Sequence, residues 1–325
     1  MSASAKVYEN VVLTSSVEPS WANLVNQNAA TLQEIFANSH ADKTYGIKPE
    51  VSIWGVYTDE AMTVPYSEQK WTADNLNGTI TLHADDGQLL YPLYAKATLS
   101  FTHNIHGACT AKKDIIVVFE PSEEAKVMMN KFTNGGEIKL EENLLLTQPL
   151  VIDNPNAVVT LDLGGKTIQN ITREPGSEQY ALRVKQGTLI IKGEGTVDGG
   201  SGCLYNIALR VDGGAVAYVE GGFFKVGADQ DGDQNHAVYA ADGGQVYISG
   251  GKFQSAPKKG TVPAVYTTLN LKDGTGAKIE VTGGEFVNFN PADNVSEGPG
   301  TNFVKTGYKA VLKPYSTTDY IVVAE

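Results

Sequence analysis

The chain has 325 residues, 42% of them hydrophobic, and a formal net charge of -12 at pH 7. Its length leaves room for about two or three domains, and its hydrophobic content is that of an ordinary globular protein. The charge argues against a nucleic-acid backbone or an anionic membrane surface as a partner, because both attract basic patches. No apolar run approaches the roughly 20 residues of a membrane-spanning helix. The two cysteines, Cys109 and Cys203, fall in different predicted domains, so we expect no structural disulfide.

Residues 1–45 are polar and contain no glycine. They predict one helix, beginning after Pro19-Ser20, whose apolar face holds Leu24, Val25, Leu32, Ile35 and Phe36. A single helix cannot bury such a face, so we predict an N-terminal arm that docks on a larger assembly; simple packing on the next domain is the open alternative. The first six residues lack the basic and apolar regions of a signal peptide. For a chain that works outside a cell, this absence indicates a virion component released by lysis, unless an export signal has been removed.

Residues 46–120 change to a strand pattern. Alternating apolar and polar residues predict strands at 51–57, 79–83, 95–103 and 114–119. With Asn-Gly and Asp-Gly turns between them, these strands fit a small Ig-like β-sandwich whose core holds Trp54 and Trp71. The polar segment 121–133 is predicted to be a linker.

From Tyr180 to Phe286 one pattern is repeated four times. Its openings are Ala181-Leu182-Arg183, Ala208-Leu209-Arg210, Ala237-Val238-Tyr239 and Ala264-Val265-Tyr266, with the alanines 27, 29 and 27 residues apart. Each opening leads to a glycine turn, a short apolar strand and a second glycine corner. The last three copies then continue into Phe224, Phe253 and Phe286. Such a period, built from short strands and glycine corners, is typical of a solenoid, and it predicts a right-handed parallel β-helix over 134–298 with a capping segment over 299–325.

Period-two alternation assigns the faces of the repeated strands. Leu182 and Val184 are predicted to point inward and Ala181 and Arg183 outward, with the same assignment in the later copies. The three phenylalanines are predicted to form an internal ladder. The predicted fold class is therefore all-β: a short helical arm, an Ig-like sandwich and a β-helix.

The segment Leu161-Asp162-Leu163-Gly164-Gly165-Lys166-Thr167-Ile168, followed by the Gly-Gly-x-Phe coils, resembles β-helical surface proteins of gut Bacteroidetes and appendage proteins of their phages. Segments 303–311 and 320–323 are similar to the closing segment that such chains often carry. The resemblance covers about residues 134–325 and identifies an architecture better than an activity. It implies a phage head-fibre or tail-appendage protein, usually a homo-oligomer and often a trimer, attached to capsid or tail proteins.

Aligned with one another, the four copies give two outer columns whose neighbours lie about 4.8 Å apart. The first column holds Arg183, Arg210, Tyr239 and Tyr266. The second column holds Ile190, Tyr218, Tyr247 and Glu280. These columns can bind glycans if tyrosine rings stack on sugars while arginines hold hydroxyls or carboxylates. The alternative is that they cover the outer wall or a neighbouring subunit, because Tyr and Arg are enriched at interfaces.

Asp212, Asp242 and Asp273 each precede a glycine, and we predict them at equivalent corners. Carboxylates one coil apart would match the roughly 5 Å separation of a retaining glycosidase pair. Asp-Gly is also a common turn sequence, which explains the same residues without catalysis. No out-of-pattern His, Lys or Arg accompanies the aspartates as a base or charge stabiliser, so the turn interpretation is favoured.

The loop with Asp229, Asp231 and Asp233 offers alternate carboxylates to a calcium ion. It lacks the glycine and glutamate of an EF-hand loop, so a solvated acidic loop is the alternative. His103 and His106 have no third ligand nearby, as zinc would need. No cofactor is predicted apart from this structural calcium.

These patterns together predict a non-enzymatic structural protein, an appendage of a phage virion that displays a β-helix for contact with a host surface or glycan. One alternative is a carbohydrate-binding or adhesive protein of a bacterial surface; another is a polysaccharide lyase or glycosidase. The predicted partners are capsid or tail proteins and surface glycans. The predicted location is the virion surface, or the bacterial surface or medium in the alternative case.

Overall fold

The computed structural model describes residues 10–13, 47–66, 70–74, 79–83, 87–103, 110–119, 121–171, 178–228, 235–272 and 274–325. The chain divides into two compact units, Met1–Asp85 with Tyr91–Glu123 and Asp86–Leu90 with Glu124–Glu325. Several predicted residues lie outside the described ones: Leu24, Val25, Leu32, Ile35 and Phe36 of the arm helix, Asp229, Asp231 and Asp233 of the calcium loop, and His106, Cys109 and Asp273.

The first seven strands, in chain order, are β1 (Asn10–Leu13), β2 (Ile47–Tyr57), β3 (Lys70–Asp74), β4 (Thr79–His83), β5 (Gln88–Leu89), β6 (Leu93–His103) and β7 (Thr110–Phe119). All except β5 belong to the first unit. A four-stranded sheet has the order β1-β7-β6-β2, with β1 parallel to β7 and the other pairs antiparallel. β3 and β4 form a separate antiparallel hairpin. The four predicted strands lie within β2, β4, β6 and β7, while the Ig-like sandwich stays a prediction.

Trp54 lies on β2 and is 71% exposed, so its predicted place in a core is wrong. The register between β2 and β6 shifts between Ile53 and Gly55, at this residue. A β-bulge of this kind leaves one residue unpaired and changes the direction of its side chain. The side chain of Trp71 lies outside the described part of the chain.

A helix, α1 (Glu123–Asn134), is found where a linker was predicted. It buries Ala125 and Phe132, which lie two turns apart on one face. It ends at Gly135, whose φ of +94° suits glycine and whose N–H donates to the carbonyl of Lys131 at 2.9 Å. The segment therefore has a buried face of its own and does not behave as a polar linker.

The second unit is a parallel β-solenoid of about four turns. Its strands after α1 are β8 (Gly136–Lys139), β9 (Leu144–Leu146), β10 (Leu150–Asp162), β11 (Thr167–Asn170), β12 (Glu178–Lys192), β13 (Thr196–Asp198), β14 (Tyr205–Val211), β15 (Val216–Val219), β16 (Phe223–Lys225), β17 (Asn235–Ala240), β18 (Gln245–Ile248), β19 (Lys252–Gln254), β20 (Leu269–Leu271), β21 (Lys278–Val281), β22 (Glu285–Phe286), β23 (Tyr308–Leu312) and β24 (Tyr320–Ala324).

These strands stack in three columns of parallel pairs, so the predicted parallel β-helix is confirmed. The first column is β10-β12-β14-β17-β20, and the second is β8-β10-β12-β15-β18-β21, because β10 and β12 are long enough to belong to both. The third column is β5-β9-β11-β13-β16-β19-β22. Within segment 299–325, β23 and β24 form an antiparallel hairpin that extends this third column from β22.

Phe224, Phe253 and Phe286 form the predicted internal ladder. Each is fully buried, and the ring centroids of successive members lie 5.4 and 5.0 Å apart in stacked geometry. The ladder follows from register, because Phe224 pairs with Phe253 and Phe253 with Phe286. Truncating such a ring in a close-packed core typically costs about 3–5 kcal/mol. The ladder therefore holds the third column rigidly in place.

Ala181, Ala208 and Ala237 are fully buried, although the alternation predicts that they point outward. On β17 every residue from Asn235 to Val238 is buried, and alternation begins only at Tyr239. An alanine methyl group projects little from the backbone, so larger flanking side chains exclude water from it on either face. Alternation alone could not reveal this.

Candidate functional site

The first outer column is only partly the predicted one. Arg183 pairs with Arg210 and Arg210 with Tyr239, but the next partner is Asn270 and not Tyr266. The connection between β19 and β20 covers residues 255–268 and is longer than the one between β16 and β17. The segment Ala264-Val265-Tyr266 therefore lies in this connection, before β20 begins. The predicted place of Tyr266 in the column is wrong.

Arg183 and Arg210 both bind Asp212, and we call this surface, with Tyr180 and Tyr239, the Arg–Tyr face. The Nε atoms of the two arginines lie 2.8 Å from Oδ2 and Oδ1 of the Asp212 carboxylate, respectively. Asp212 has a side chain that is only 8% exposed. Two arginines of the repeated pattern, one from each of two coils, thus neutralise the aspartate.

Arg210 has further contacts that leave it little freedom to hold a ligand. Its Nη1 donates to the hydroxyl of Tyr180 at 2.7 Å and lies 3.3 Å from a carboxylate oxygen of Glu178. Its guanidinium carbon lies 5.1 Å from the ring centre of Tyr180 and 5.5 Å from that of Tyr239. Such cation–π contacts stabilise a charged group between rings. Arg210 is therefore held on several sides by groups of the chain itself.

The predicted carboxylate column is wrong. Val211 pairs with Ala240 and Val216 with Gln245, so the turn residue that matches Asp212 is Ala241. Asp242 matches the following glycine, has a φ of 51°, and forms an exposed ion pair with Lys272 at 3.0 Å. The two aspartates therefore differ in position, burial and partner, and they do not form the stacked pair of a retaining glycosidase.

The second outer column has the predicted order Ile190, Tyr218, Tyr247 and Glu280. The rings of Tyr218 and Tyr247 stack with centroids 5.3 Å apart and an interplanar angle of 18°. Lys278 Nζ lies over the Tyr247 ring at 5.1 Å, and the Tyr247 hydroxyl donates to Gln245 at 2.7 Å. The ring faces are turned along the solenoid axis toward one another, so they do not form an outward platform for sugars.

His236 and Tyr239 stack with ring centroids 5.4 Å apart. The Nδ1 atom of His236 lies 2.7 Å from the Thr267 carbonyl, so it carries the proton and donates, while Nε2 accepts from the Asn270 amide at 3.2 Å. Burial lowers the pKa of His236 to about 4, and burial raises the pKa of Tyr239. The neutral, enclosed imidazole serves packing and does not reach solvent as a base.

A groove on the third column was not predicted. Gln169, Asp198, Lys225 and Gln254 are register partners on β11, β13, β16 and β19, and we call the surface that they line the polar groove. It has a volume of about 340 Å³. Each of these residues directly follows a buried member of the core, which was the only signal in the sequence. Only the two glutamines are of the same type, so no residue type marks the column in every coil.

The polar groove carries both hydrogen-bond donors and acceptors. Lys225 Nζ lies 3.0 Å from Asp198 Oδ2, and Asp198 Oδ1 accepts from the backbone N–H of Gly200 at 2.9 Å. Across the described parts of the chain, no hydrogen bond is found for the side-chain amides of Gln169 and Gln254. The centre of the groove is thus neutralised internally, while an unused amide lies at each end.

A shallower depression of about 500 Å³ lies at the other end of the same strands, with Glu194, Glu220, Phe223 and Lys252 among its residues. Lys252 Nζ lies 5.4 Å from the centre of the Phe223 ring and 3.0 Å from a carboxylate oxygen of Glu285. This lysine is therefore already occupied by an aromatic face and an anion.

Within the described residues, no group of three metal-ligating side chains is found, and no helix is long and apolar enough to span a membrane. Cys203 is buried, and its Sγ lies 2.8 Å from the side-chain oxygen of Gln179. No protein-family model matches the chain, and no curated protein or solved structure is significantly similar to it.

Proposed function

We propose that the chain is a non-enzymatic structural appendage protein whose solenoid binds a glycan in the polar groove. The observation that carries this proposal is the column of Gln169, Asp198, Lys225 and Gln254 on the outside of a rigid stack. Amides donate and accept hydrogen bonds at once, which suits sugar hydroxyl groups that do the same. A concave site with a few placed polar groups is the usual form of a small-ligand site.

The chemistry of the nearby ionisable groups supports binding without turnover. Asp212 is neutralised by two guanidinium groups, Asp198 is paired with Lys225, and His236 is enclosed with a lowered pKa. A general acid or base must reach the substrate and exchange protons near the working pH. Asp212 and His236 do not line the groove, and Asp198 is held by Lys225, so a lyase or glycosidase is the less favoured function.

The virion as the place of display is a proposal supported by the resemblance to phage appendage proteins. In it, the N-terminal arm attaches to capsid or tail proteins, an Ig-like module follows, and the right-handed solenoid projects outward in a homo-oligomer, with a trimer as the expected form. Mass spectrometry of purified phage particles tests the location. Phe36→Asp, on the predicted arm helix, is expected to reduce incorporation into particles, and unchanged incorporation would contradict this attachment.

Glycan binding is tested by applying the purified protein to an array of bacterial and plant polysaccharides, with product formation followed for each ligand found. We expect binding without product release. Lys225→Ala is expected to lose the signal. Lys185→Ala should keep it, because Lys185 is about as exposed as Lys225 but forms its ion pair with Asp153 on another face. A chain that binds no glycan contradicts the proposal, and product release makes it an enzyme.

A further inference from the structure

We infer that the ligand of the polar groove is an uncharged, linear polysaccharide that lies parallel to the solenoid axis, with one sugar residue over each coil. The inference rests on the proposed glycan binding, and it adds the class, the direction and the length of the ligand.

The direction follows from the placement of the polar side chains. Gln169, Asp198, Lys225 and Gln254 lie on four successive coils, so their backbones are separated by steps of about 4.8 Å along the axis. An extended pyranose chain advances by a similar distance for each sugar. A chain along the axis therefore meets a new polar side chain at every residue. A chain along one strand would meet one such side chain and then the backbone of a glycine corner such as Gly200.

The absence of charge on the ligand follows from the ion pair at the centre. Of the side chains that line the described groove, only those of Asp198 and Lys225 are ionisable, and they neutralise one another at 3.0 Å. An acidic polymer would have to compete with Asp198 for Lys225. It would also approach a chain whose formal net charge is -12, and repulsion of like charges slows such association. An uncharged polyol has neither cost.

The length of the ligand follows from the ends of the column. The span from Gln169 to Gln254 covers three steps, or about 14 Å. The end amides have no hydrogen-bond partner among the described residues, so each is free for a terminal sugar of the bound segment. Affinity should therefore rise with each added sugar up to about four, and further sugars should add little.

The test is isothermal titration of the full chain with ladders of uncharged oligosaccharides, from disaccharide to octasaccharide, that represent the polysaccharides found on the array. We expect the dissociation constant to fall until the tetrasaccharide and then to level. Gln254→Ala should weaken tetrasaccharide binding roughly three- to tenfold, the effect of losing one ordinary hydrogen bond, and should move the plateau to the trisaccharide. Gln186→Ala, an exposed glutamine outside the groove, should change neither quantity.

The possible failures are distinguishable. If no ladder binds at any length, the proposed glycan binding itself is wrong. If glycans bind but the plateau is reached at the disaccharide, or Gln254→Ala leaves the ladder unchanged, the axial inference is overturned and glycan binding stands. A matching ladder of acidic oligosaccharides that binds more tightly overturns the uncharged class. Loss of binding in Phe223→Ala, with Lys225→Ala unaffected, places the ligand in the neighbouring depression and overturns the inference.

Discussion

The Arg–Tyr face and the polar groove lie on one solenoid but use polar side chains in opposite ways. On the Arg–Tyr face, Asp212 joins guanidinium groups from two coils while aromatic rings cover them. In the groove, only the two central side chains pair, and the amides at its ends have no partner among the described residues. An outer column of large residues therefore stabilises the stack when its neighbours complement one another. Such a column is open to a ligand when its side chains leave hydrogen-bonding groups unpaired.

The largest expected effect is a loss of stability on the Arg–Tyr face. Asp212→Asn leaves two largely buried guanidinium groups without their shared carboxylate, and it should lower the free energy of unfolding by about 3 kcal/mol. Asp242→Asn breaks only an exposed ion pair and should cost less than about 1 kcal/mol. Urea denaturation of both variants measures the difference. Equal costs would mean that the Arg–Tyr face does not support the stack.

The next effect depends on pH and arises beside the Arg–Tyr face, at His236, which stacks on Tyr239. Burial lowers the pKa of His236 to about 4 from an ordinary 6.5, so below pH 6.5 the unfolded chain binds a proton that the folded chain does not. Stability should thus fall between pH 6.5 and 4, by about 2 kcal/mol at pH 5, and should not change from this cause above pH 6.5. His236→Asn should remove this part of the profile. If the wild type and the variant lose the same stability between pH 6.5 and 4, the claim that the imidazole is enclosed is wrong.

The tyrosine column should show a smaller effect, on stability alone. Tyr247→Ala removes the stacking with Tyr218 and should cost about 1 kcal/mol of unfolding free energy beyond the loss of buried area. Tyr247→Phe keeps the ring and should recover most of that loss. Glycan affinity, measured by titration, should be unchanged in both variants. A loss of affinity in Tyr247→Ala with full recovery in Tyr247→Phe would show that the ring binds the ligand.

The smallest effect on stability belongs to the groove. Asp198→Asn breaks an ion pair whose lysine is 42% exposed. The free energy of unfolding, measured by thermal denaturation, should therefore fall by less than about 1 kcal/mol. Glycan affinity should nevertheless fall, because Lys225 loses the partner that positions it. A variant that is strongly destabilised would make this pair a part of the framework, like the pair at Asp212.

The sequence predicted what depends on a constant repeat. The phenylalanine ladder was predicted because Phe224, Phe253 and Phe286 keep a fixed distance from their glycine corners. Tyr266 was misplaced because a longer connection precedes β20, and matching letters do not reveal a change of loop length. Trp54 was misplaced because a one-residue bulge leaves no mark in an alternating pattern.

The remaining differences have separate physical causes. Helix α1 had start and stop signals in Ser122 and Gly135, but a polar composition concealed its narrow buried face. The polar groove has no single residue type along its column, because Asp198 and Lys225 lie between the two glutamines. What Gln169 and Gln254 share is a position after a buried side chain on neighbouring coils, and that becomes visible only when the register is known.

The most direct measurement compares Lys225→Ala with Tyr239→Ala in titrations against the same glycan. Both residues lie on outer columns of the solenoid, one in the polar groove and one on the Arg–Tyr face. Lys225→Ala is expected to weaken binding roughly tenfold or more, while Tyr239→Ala keeps the wild-type affinity despite lower stability. Binding that is lost in Tyr239→Ala and kept in Lys225→Ala would contradict the assignment of the ligand site to the polar groove.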